Sequence, residues 1–451
     1  MVIASIDIQS GKVVQLKQGG ELVLQRDNAE ELAQEFNRYG EAAIIDLDAA
    51  MGKGSNIEMI KPLLRKAECR VGGGIRTPEQ AKELVSLGAR KIIIGSNAFR
   101  NPEKKDTGQK GGEFAVNISF LDVMAKKIGR ERLIVAVDAR ARDSGSYEIV
   151  VDGWKTSTGL DLINAAKLVE PFAGELLFTC VDREGTMTGI DLEPVRKLRE
   201  AVKCGITAAG GISTLNEIKE IAAIGCDVQL GMALYTGKIN LADAFTVSLN
   251  WKKGQKMEAV SAPSSALNMS NSSLLPVIVQ TPGGQVMMTG FTNAGALTET
   301  FKCGSICFYS RTRNKLWMKG ENSGNVLKLI KMRADCDRDA LLATAEPAGP
   351  VCHTGAFSCF ETNKKYSLEF LQEIIKERFK NPVPGSYTAT LDDELVREKI
   401  MEEARELCDA VSRGEIIWEA ADLLYFITVL MTRAGVNIQD VLDELDRRHA
   451  K

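Results

Sequence analysis

Two stretches of the chain, VGGGIRTPEQAKELVSLGARKIIIGSNAF at residues 71–99 and AAGGISTLNEIKEIAAIGCDVQLGMALY at residues 208–235, follow one pattern. In each, a short apolar run reaches a glycine turn, an amphipathic stretch follows, and a second apolar run ends at another glycine. The glycine spacing also matches, because positions 74 and 88 are 14 residues apart and so are positions 211 and 225. Such a repeat predicts a domain made of two similar halves.

The repeat lies within residues 1–248, where β-branched runs such as VIASID and LIVAVDA alternate with helical patterns such as AEELAQEFNRYG. This alternation over about 250 residues is typical of a parallel α/β domain. Aspartates that end strands recur at similar offsets in the two halves, Asp7 with Asp138 and Asp48 with Asp182. The predicted topology is therefore a doubled half-barrel that closes into a (β/α)8 barrel.

The composition excludes some classes of function. The 451 residues include 57 basic and 60 acidic side chains, so no overall field would draw the chain to nucleic acid or to an anionic membrane. The start, MVIASIDIQSGKVV, has no basic segment before an apolar core. No later run approaches the roughly 18 to 20 apolar residues that a membrane span needs. We expect a cytoplasmic protein that binds small molecules.

Cysteine and histidine narrow the chemistry further. Ten cysteines are scattered along a long chain without a secretion signal, which argues against disulfides, and only those at 336, 352 and 359 form an organised set. The only two histidines are His353 and His449. Acid–base chemistry in most of the chain must therefore use carboxylates, metals, lysine or tyrosine.

The remainder of the chain divides into three segments. Residues 249–273 are polar, serine-rich and aperiodic, which predicts a solvated linker. Residues 274–361 contain strand-like runs separated by turns at PGG and KGENSGN, which predicts a small, mainly β domain. In residues 362–451 apolar side chains recur at intervals of three and four, which predicts a helical bundle.

The segment ADCDRDALLATAEPAGPVCHTGAFSCF, residues 334–360, concentrates side chains that bind metals. A calcium loop is excluded, because alanine stands where such a loop needs glycine. If the chain around the aspartates is extended, Asp335, Asp337 and Asp339 share one face and Cys336 points to the other. Carboxylates suit Mg²⁺ and thiolates suit Zn²⁺, so the segment predicts two separate metals.

The zinc ligands would come from two places in this segment. Cys352 and Cys359 bracket the loop CHTGAFSC and could supply two thiolates, with Cys336 as the third. Three thiolates leave a fourth position for water, which is the arrangement of a catalytic zinc. Because Cys336 would leave the opposite face of its strand, its partners could come from a second subunit. The alternative is three core cysteines beside a solvated acidic turn, a poorer explanation for acids that alternate with cysteine.

Residues 274–361 resemble phosphoribosyl-AMP cyclohydrolase, an enzyme of histidine biosynthesis, over nearly their whole length. The resemblance rests on LLPVIVQ, GFTNAGAL, FYSRTRNKLWMKGENSGN, DCDRDA and EPAGPVCHTGAFSCF. It implies an obligate dimer that opens the adenine ring of phosphoribosyl-AMP by hydrolysis, with His353 in proton transfer. It also assigns a shared zinc site to Cys336, Cys352 and Cys359, and a magnesium site to Asp335, Asp337 and Asp339.

Four further residues of this domain are candidate phosphate contacts: Arg311, Arg313, Lys319 and Ser323. Basic side chains and hydroxyls are common phosphate ligands in proteins. The same residues would be equally ordinary at a strand edge or in a turn, and the sequence leaves both interpretations open.

Acidic residues form two stripes in the helical segment. In KIMEEARELCDA, Glu403 lies three residues before Glu406 and Glu402 lies four before it. In IIWEAADLLYF, Glu419 and Asp422 lie three apart. Acid runs on helices are often solvated, but carboxylates within an apolar helix need a cation or hydrogen bonds. Facing acidic stripes therefore predict a magnesium site that suits a polyphosphate substrate.

The helical segment resembles phosphoribosyl-ATP pyrophosphatase, of the all-helical nucleotide pyrophosphohydrolase type. The resemblance rests on PGSYTATL, the EExxE at 402–406, the ExxD at 419–422 and the closing DELDRRH. It implies cleavage of the α,β-phosphate bond of phosphoribosyl-ATP. The products would be pyrophosphate and phosphoribosyl-AMP, which is the substrate of the preceding domain.

Glycines at strand ends predict two phosphate sites in the barrel. GGGIR and AGGIS follow strands and precede helices, and GSNAF and GMALY end the next strands. Glycine amides and helix N-termini bind phosphate, and two sites related by the repeat suit a substrate with a phosphate at each end. The candidate residues are Gly73, Gly74, Gly95, Ser96, Gly210, Gly211, Gly231 and Met232.

Asp7 and Asp138 end the first and fifth strands across the barrel mouth, and no histidine competes with them for acid–base chemistry. Alternatively, they cap helices or bind backbone amides. The domain resembles the bis-phosphate aminoaldose isomerase of the histidine pathway through IDIQSGKVV, IIDLDAAMGKGSN, GGGIR, VDGWKTSTG, REGTMTG and GGIS with GMALYTG. Its relative, the cyclase subunit of imidazole glycerol phosphate synthase, shares several of these motifs, but VDGW and ALYTG favour the isomerase.

The isomerase resemblance assigns a role to each acid. Asp7 would be the general base of an Amadori rearrangement and Glu184 the second acid, with Thr179 and Asp138 beside them. The usual family residue at position 184 is aspartate, and Gln15 and Gly20 stand where arginine and aspartate are usual.

These interpretations combine into a fusion for successive steps of histidine biosynthesis: pyrophosphatase, cyclohydrolase and an isomerase-like barrel. Two alternatives remain: a bifunctional hydrolase with an inactive barrel, and a barrel that only binds a bis-phosphate ligand or scaffolds a dimer. The expected partners are phosphoribosyl-ATP, phosphoribosyl-AMP and a second copy of the chain, without nucleic acid or membrane.

Overall fold

The structure, a computed structural model, describes residues 1–100, 114–256, 273–360, 366–382 and 386–449. The chain forms two compact units. The first contains Met1–Val279 and Thr289–Gly349, and the second contains Gln280–Met288 and Pro350–His449. Most of the predicted linker, residues 257–272, lies outside the described residues.

Eight parallel strands form the barrel of the first unit. They are β1 (Val2–Gln9), β4 (Ala42–Asp46), β5 (Cys69–Gly72), β6 (Lys91–Ile94), β7 (Leu133–Ala141), β10 (Glu175–Cys180), β11 (Gly205–Ala209) and β12 (Asp227–Leu230). Each strand pairs with the next in this order and β12 pairs with β1, so the predicted closed barrel is confirmed. The strands are nearly all apolar because helices cover their outer face and side chains fill the interior.

The helices of this part alternate with the strands. They are α1 (Ala29–Asn37), α2 (Leu47–Ala50), α3 (Ile57–Lys66), α4 (Pro78–Ser86), α5 (Ile118–Ile128), α6 (Leu162–Val169), α7 (Leu192–Ala201), α8 (Leu215–Ala223), α9 (Met232–Tyr235) and α10 (Leu241–Val247). Short 3₁₀ turns occupy Ser96–Phe99, Arg130–Arg132 and Val181–Arg183.

The two halves of the barrel show the predicted repeat in detail. Helices α4 and α8 have equal length and begin with a capping box, Thr77 with Gln80 and Thr214 with Glu217. Each half also carries an antiparallel addition after its first strand. These additions are β2 (Lys12–Lys17) with β3 (Glu21–Arg26), and β8 (Tyr147–Val151) with β9 (Thr156–Asp161).

A buried arginine connects the two halves at the N-terminal end of the barrel. Arg70 Nε donates to Glu41 Oε2 at 3.0 Å, and Nη1 contacts Glu175 and Thr207 on the second half. Lys91 Nζ lies 2.9 Å from Glu175 Oε2. Burial alone would raise the pKa of Glu175, but the charges of Arg70 and Lys91 lower it to about 2. We call this group the barrel floor.

The remainder of the first unit is mainly β, as predicted. Its elements are β13 (Gln255–Lys256), β14 (Ser273–Gln280), β15 (Val286–Thr292), α11 (Ala294–Cys303), β16 (Cys307–Ser310), β17 (Lys315–Met318), β18 (Leu327–Ala334) and β19 (Leu341–Pro347). The sheet order is β13-β14-β19-β18, with β15 on β14, and β16 and β17 form a hairpin. The ring of Phe301 on α11 lies 4.5 Å from that of Tyr39 and 5.5 Å from that of Phe245, so this part packs against barrel helices.

The second unit contains the predicted helices. They are α12 (Leu368–Lys380), α13 (Tyr387–Thr390), α14 (Asp393–Asp409), α15 (Arg413–Arg433) and α16 (Ile438–His449). Their small core is formed by Ile375, Leu391, Val396, Phe426 and Val429. In the described part of the chain, no helix is long and apolar enough to cross a membrane.

Candidate active sites

A cavity of about 300 Å³ opens at the C-terminal end of the barrel. The four predicted acid–base residues, Asp7, Asp138, Thr179 and Glu184, all line it. Asp7 lies near the end of β1 and Asp138 near the end of β7, four strands away around the ring. Among the described residues neither carboxylate caps a helix; the donors to them are side chains, Ser5 for Asp7 and Trp154 for Asp138.

Burial makes two of these carboxyl groups unusually basic. The pKa of Asp7 rises to about 6 because the cavity wall removes water, although Ser5 Oγ donates to Asp7 Oδ1 at 2.6 Å. The pKa of Glu184 rises to about 7, first because of burial and then because of the like charges of Asp7 and Asp138. Near neutral pH, Asp7 is therefore mainly ionised while Glu184 retains much of its proton.

Asp138 has hydrogen-bond donors that Glu184 lacks. Trp154 Nε1 donates to Asp138 Oδ2 at 2.9 Å, and the Thr179 hydroxyl also donates to this carboxylate. Burial still raises the pKa of Asp138, but both donors oppose that rise. Trp154 has a left-handed backbone (φ 68°) and its ring lies against Gly19. No sequence pattern predicts this role for Trp154, because the motif VDGW only distinguishes the isomerase from the related cyclase.

All eight predicted phosphate-turn residues line the same cavity. Gly73 shows why the turns need glycine, because a Cβ there would lie 2.2 Å from the Asp46 carbonyl oxygen. A Cβ added at Gly95 would have no close neighbour, whereas a Cβ added at Gly231 would lie 2.8 Å from Gln15 Oε1. Gln15 is buried, and its Nε2 has no hydrogen-bond partner among the described residues. The Gln15 side chain therefore distinguishes the turn at Gly231 from the turn at Gly95.

The three aspartates of the β domain lie on a turn, and the prediction of an extended strand around them is wrong. Strand β18 ends at residue 334 and β19 begins at residue 341, which leaves residues 335–340 to connect them; we call these residues the acidic turn. The amides of Asp339 and Ala340 donate to Asp335 Oδ1 at 3.0 and 3.2 Å, so the aspartate side chain itself stabilises the turn. The alternation of side chains along a strand therefore does not separate Cys336 from the aspartates.

The acidic turn nevertheless brings the three carboxylates together. Oxygen atoms of Asp335, Asp337 and Asp339 lie within 4.8 Å of one another. Lys253 Nζ, from the start of the predicted linker, lies 2.6 Å from Asp337 Oδ2 and lowers the pKa of that carboxyl. The pKa of Asp339 is raised by desolvation and by the charges of Asp337 and Asp335. Clustered carboxylates with this repulsion fit a divalent cation.

Two of the predicted zinc ligands are neighbours in the second unit. The Cys352 amide donates to the Ala356 carbonyl at 3.0 Å, which closes the loop, and the Cys359 thiol forms a hydrogen bond with that of Cys352. Thr354 Oγ1 donates to Cys352 Sγ at 3.2 Å and lowers the pKa of the thiol. His353 Nδ1 lies 3.7 Å from the same sulfur. A thiol with a lowered pKa fits a metal ligand.

The predicted phosphate contacts of the β domain have different surroundings. The guanidinium of Arg311 lies 3.9 Å from the centroid of the Phe291 ring. Ser323 Oγ accepts from the amide of Asn325, and Arg313 is exposed. Lys319 is 9% exposed and forms no ion pair with any described residue. Lys319 is the least exposed of the four candidate phosphate contacts.

In the helical unit, three of the five predicted magnesium ligands form one cluster. Carboxylate oxygens of Glu403 and Glu406 on α14 and of Glu419 on α15 lie within 4.8 Å of one another. Desolvation and the charge of Asp422 raise the pKa of Glu403, so Asp422 adjoins the cluster. Glu402 instead forms an ion pair with Lys399 at 2.6 Å and is not a member of the cluster. The cluster carries more negative charge than its surroundings neutralise.

Comparison with known proteins divides the chain in the same order. Residues 1–240 match the family model described as histidine biosynthesis protein. Residues 288–361 match phosphoribosyl-AMP cyclohydrolase, and residues 368–449 match phosphoribosyl-ATP pyrophosphohydrolase.

Individual relatives cover either the barrel or the remainder of the chain. The barrel is similar to the 1-(5-phosphoribosyl)-5-((5-phosphoribosylamino)methylideneamino) imidazole-4-carboxamide isomerase of Methanosphaera stadtmanae, with 36% identity over 252 residues, 54% of this chain and 98% of the relative. The remainder is similar to the histidine biosynthesis bifunctional protein HisIE of Bacteroides thetaiotaomicron, with 42% identity over 187 residues, 39% of this chain and 92% of the relative. The HisIE protein of Pyrococcus furiosus is 42% identical over 193 residues, 40% of this chain and 92% of the relative.

Proposed function

Because the chain belongs to the histidine biosynthesis protein family through its barrel and also contains phosphoribosyl-AMP cyclohydrolase and phosphoribosyl-ATP pyrophosphohydrolase domains, we propose that it catalyses three successive steps of histidine biosynthesis. The helical domain hydrolyses phosphoribosyl-ATP, the β domain opens the adenine ring of phosphoribosyl-AMP, and the barrel isomerises the product of that ring opening. We place the domain boundaries at 1–248, 274–361 and 362–451, with a linker at 249–273.

The observation that carries the isomerase proposal is that Asp7 and Glu184, whose pKa values are raised to about 6 and about 7, line one cavity together with the two phosphate turns. The substrate named for the isomerase relatives has two phosphoribosyl groups, which matches two turns. Glu184 donates its proton to the ribose ring oxygen and the C–O bond opens to an iminium. Asp7 then removes the proton from the adjacent carbon, and the enolamine that forms becomes the aminoketose.

In the β domain, we propose that Asp335, Asp337 and Asp339 hold Mg²⁺ and that Cys336, Cys352 and Cys359 hold Zn²⁺. Bound zinc would supply a Lewis acid that makes water a better nucleophile toward the purine. His353, adjacent to Cys352, moves a proton during ring opening. Lys319, together with Arg311, Arg313 and Ser323, binds the substrate phosphate.

In the helical domain, we propose that Glu403, Glu406, Glu419 and Asp422 hold Mg²⁺ against the polyphosphate of the substrate, with Glu402 at the edge of the site. The raised pKa values of Glu403 and Glu419 support this assignment, because a divalent cation relieves the repulsion that raises them.

We also propose that the chain acts as a homodimer with a shared zinc site and that it is cytoplasmic. Helix α15 leaves large apolar side chains exposed: Ile417 is 56% and Trp418 is 70% exposed. A surface of this kind on a small helical unit is typical of an interface.

Three separate assays on the full chain test these assignments. Asp7→Asn is expected to abolish isomerisation, Cys352→Ser ring opening, and Glu403→Gln release of pyrophosphate, and each variant should retain the other two activities. Matched controls keep each change near its site but outside it: Asp182→Asn beside the barrel cavity and Glu398→Gln on α14.

Two results would remove parts of the proposal. If the wild-type barrel binds the bis-phosphate substrate without turnover, the barrel is a binding module. If metal analysis of the active protein finds a zinc-to-chain ratio near zero, the zinc assignment is wrong.

A further inference from the structure

The acidic turn is attached to the barrel by an arginine that lies between two of its aspartates. Arg338 Nη2 donates to Asp227 Oδ1 and to the Cys226 carbonyl, both at 2.8 Å. Nη1 donates to the Ala222 carbonyl at 3.4 Å. These three partners precede or begin β12, at the N-terminal end of the barrel and away from the cavity that contains Asp7.

The barrel surface that receives Arg338 suits a cation. Ala222 lies in the last turn of α8, where the helix dipole is negative, and its carbonyl also accepts from the Gly225 amide at 3.0 Å. Asp227 adds a negative charge, which the amino group of Met1 shares with Arg338. The Arg338 side chain is only 15% exposed, so its ion pair is shielded from water far more than a surface pair is.

A second residue that follows the last barrel helix fixes the backbone of the same turn. The Asn250 amide donates to the Arg338 carbonyl at 2.8 Å, and Asn250 Nδ2 donates to the Asp337 carbonyl at 3.3 Å. Arg338 itself has a left-handed backbone (φ 64°), which is uncommon for a residue with a side chain. Such a conformation persists where surrounding contacts enforce it, and here those contacts come from the barrel.

We propose that the N-terminal end of the barrel positions the cation site of the β domain, with Arg338 and Asn250 as its positioning residues. They hold the peptide between Asp337 and Asp339 in the conformation that brings the carboxylates together. This inference rests on the proposed magnesium site in the acidic turn. Ring opening thereby depends on a barrel surface that isomerisation does not use.

Binding of Mn²⁺ to the full chain, followed by the electron paramagnetic resonance signal of the free ion, tests the inference without any turnover. A Glu403→Gln/Glu419→Gln background removes the helical cluster, so that the acidic turn is the remaining carboxylate cluster among the residues that the structure describes. In this background Arg338→Met should weaken Mn²⁺ binding about tenfold or more, the effect typical of residues that orient metal ligands.

The matched control is Arg333→Met. Arg333 also joins the β domain to the barrel, through Glu68, but it lies on β18 outside the acidic turn. Its loss should leave the Mn²⁺ affinity within about twofold. Asp227→Asn, a change in the barrel itself, should weaken binding in the same direction as Arg338→Met, and Arg338→Lys should recover part of the affinity because it retains the charge.

Two results overturn the inference, and they are distinguishable. If Arg338→Met binds Mn²⁺ as tightly as Arg333→Met while Asp337→Asn abolishes binding, the magnesium site exists and the barrel does not position it. If Asp337→Asn leaves binding unchanged, the proposed magnesium site itself is wrong. Thermal unfolding of both methionine variants shows whether a difference in affinity comes only from loss of folded protein.

Discussion

Isomerisation by the barrel is expected to have a narrow pH optimum that Glu184→Gln alters on one side only. In the proposed mechanism the active form has Asp7 ionised, with a pKa of about 6, and Glu184 protonated, with a pKa of about 7. From these values about three-fifths of the molecules are active near pH 6.5 and about one-tenth near pH 5 or pH 8. The value of kcat/KM should therefore fall about sixfold on either side of the optimum.

Glu184→Gln removes the proton donor and with it the alkaline limb. We expect kcat/KM near pH 6.5 to fall about a hundredfold, the usual contribution of a general acid, and the residual activity to stay level between about pH 7 and pH 8. Asp182→Asn, a change two residues away on an exposed carboxylate that binds Arg140, should keep both limbs. An alkaline limb near pH 7 that persists in Glu184→Gln would show that another group is the acid.

The same substitution should stabilise the barrel in alkaline solution. Because the folded pKa of Glu184 lies above its ordinary value of 4.5, the unfolded chain loses this proton first as the pH rises, and stability falls between about pH 4.5 and pH 7. This difference between the two pKa values of Glu184 corresponds to a loss of stability of at most about 3 kcal/mol. Contact of Glu184 with water at the cavity mouth reduces this loss. Glu184→Gln should therefore raise the free energy of unfolding by about 2 kcal/mol at pH 8 and leave it unchanged near pH 4, as measured by urea titration. Equal gains at both pH values would contradict this explanation.

Three further changes test other parts of the chain. Arg70→Met should cost about 3–5 kcal/mol in urea unfolding of the barrel, because it leaves buried carboxylates unpaired, and a loss below about 1 kcal/mol would mean that water reaches the barrel floor. Lys253→Met should tighten Mn²⁺ binding to the acidic turn about two- to threefold, since its ammonium competes with the cation for Asp337; weaker binding would instead assign Lys253 a supporting role. Glu403→Gln should abolish magnesium-dependent pyrophosphate release in a coupled phosphate assay, and continued release would place the polyphosphate site elsewhere.

The barrel could be predicted because its signals are local and repeated. Glycine spacing, capping residues and alternating apolar runs each depend on neighbours in the chain, and all of them recur in both halves. The antiparallel additions were missed because β3 lies at a sheet edge and exposes Leu22 and Val23, so it lacks the buried pattern of a central strand.

The same distinction between local signals and distant contacts applies to the site residues. Asp7, Asp138 and Glu184 could be named from motifs, but their pKa values depend on a cavity built from both halves. The acidic turn was mistaken for a strand because Arg338 adopts its left-handed conformation through partners more than 100 positions away. No local pattern contains that information. The contact between Lys253 and Asp337 could not be predicted for a similar reason, because the polar segment around Lys253 has no periodicity that would indicate it.

Because of the barrel floor, the second half of the barrel depends on the first half more than the first depends on the second. If the halves were separated, the first would retain Arg70 with Glu41 as an internal pair, whereas the second would have to bury Glu175 with only the Thr207 hydroxyl beside it. A fragment that ends before β7 would keep one surplus positive charge, which Lys91, 25% exposed, can hold in contact with water; its complement would keep the Glu175 carboxylate, 7% exposed, without a cation from the floor. The two halves of the repeat are therefore no longer equivalent as independent folding units. When they are co-expressed as separate fragments, the second half should fold only in association with the first.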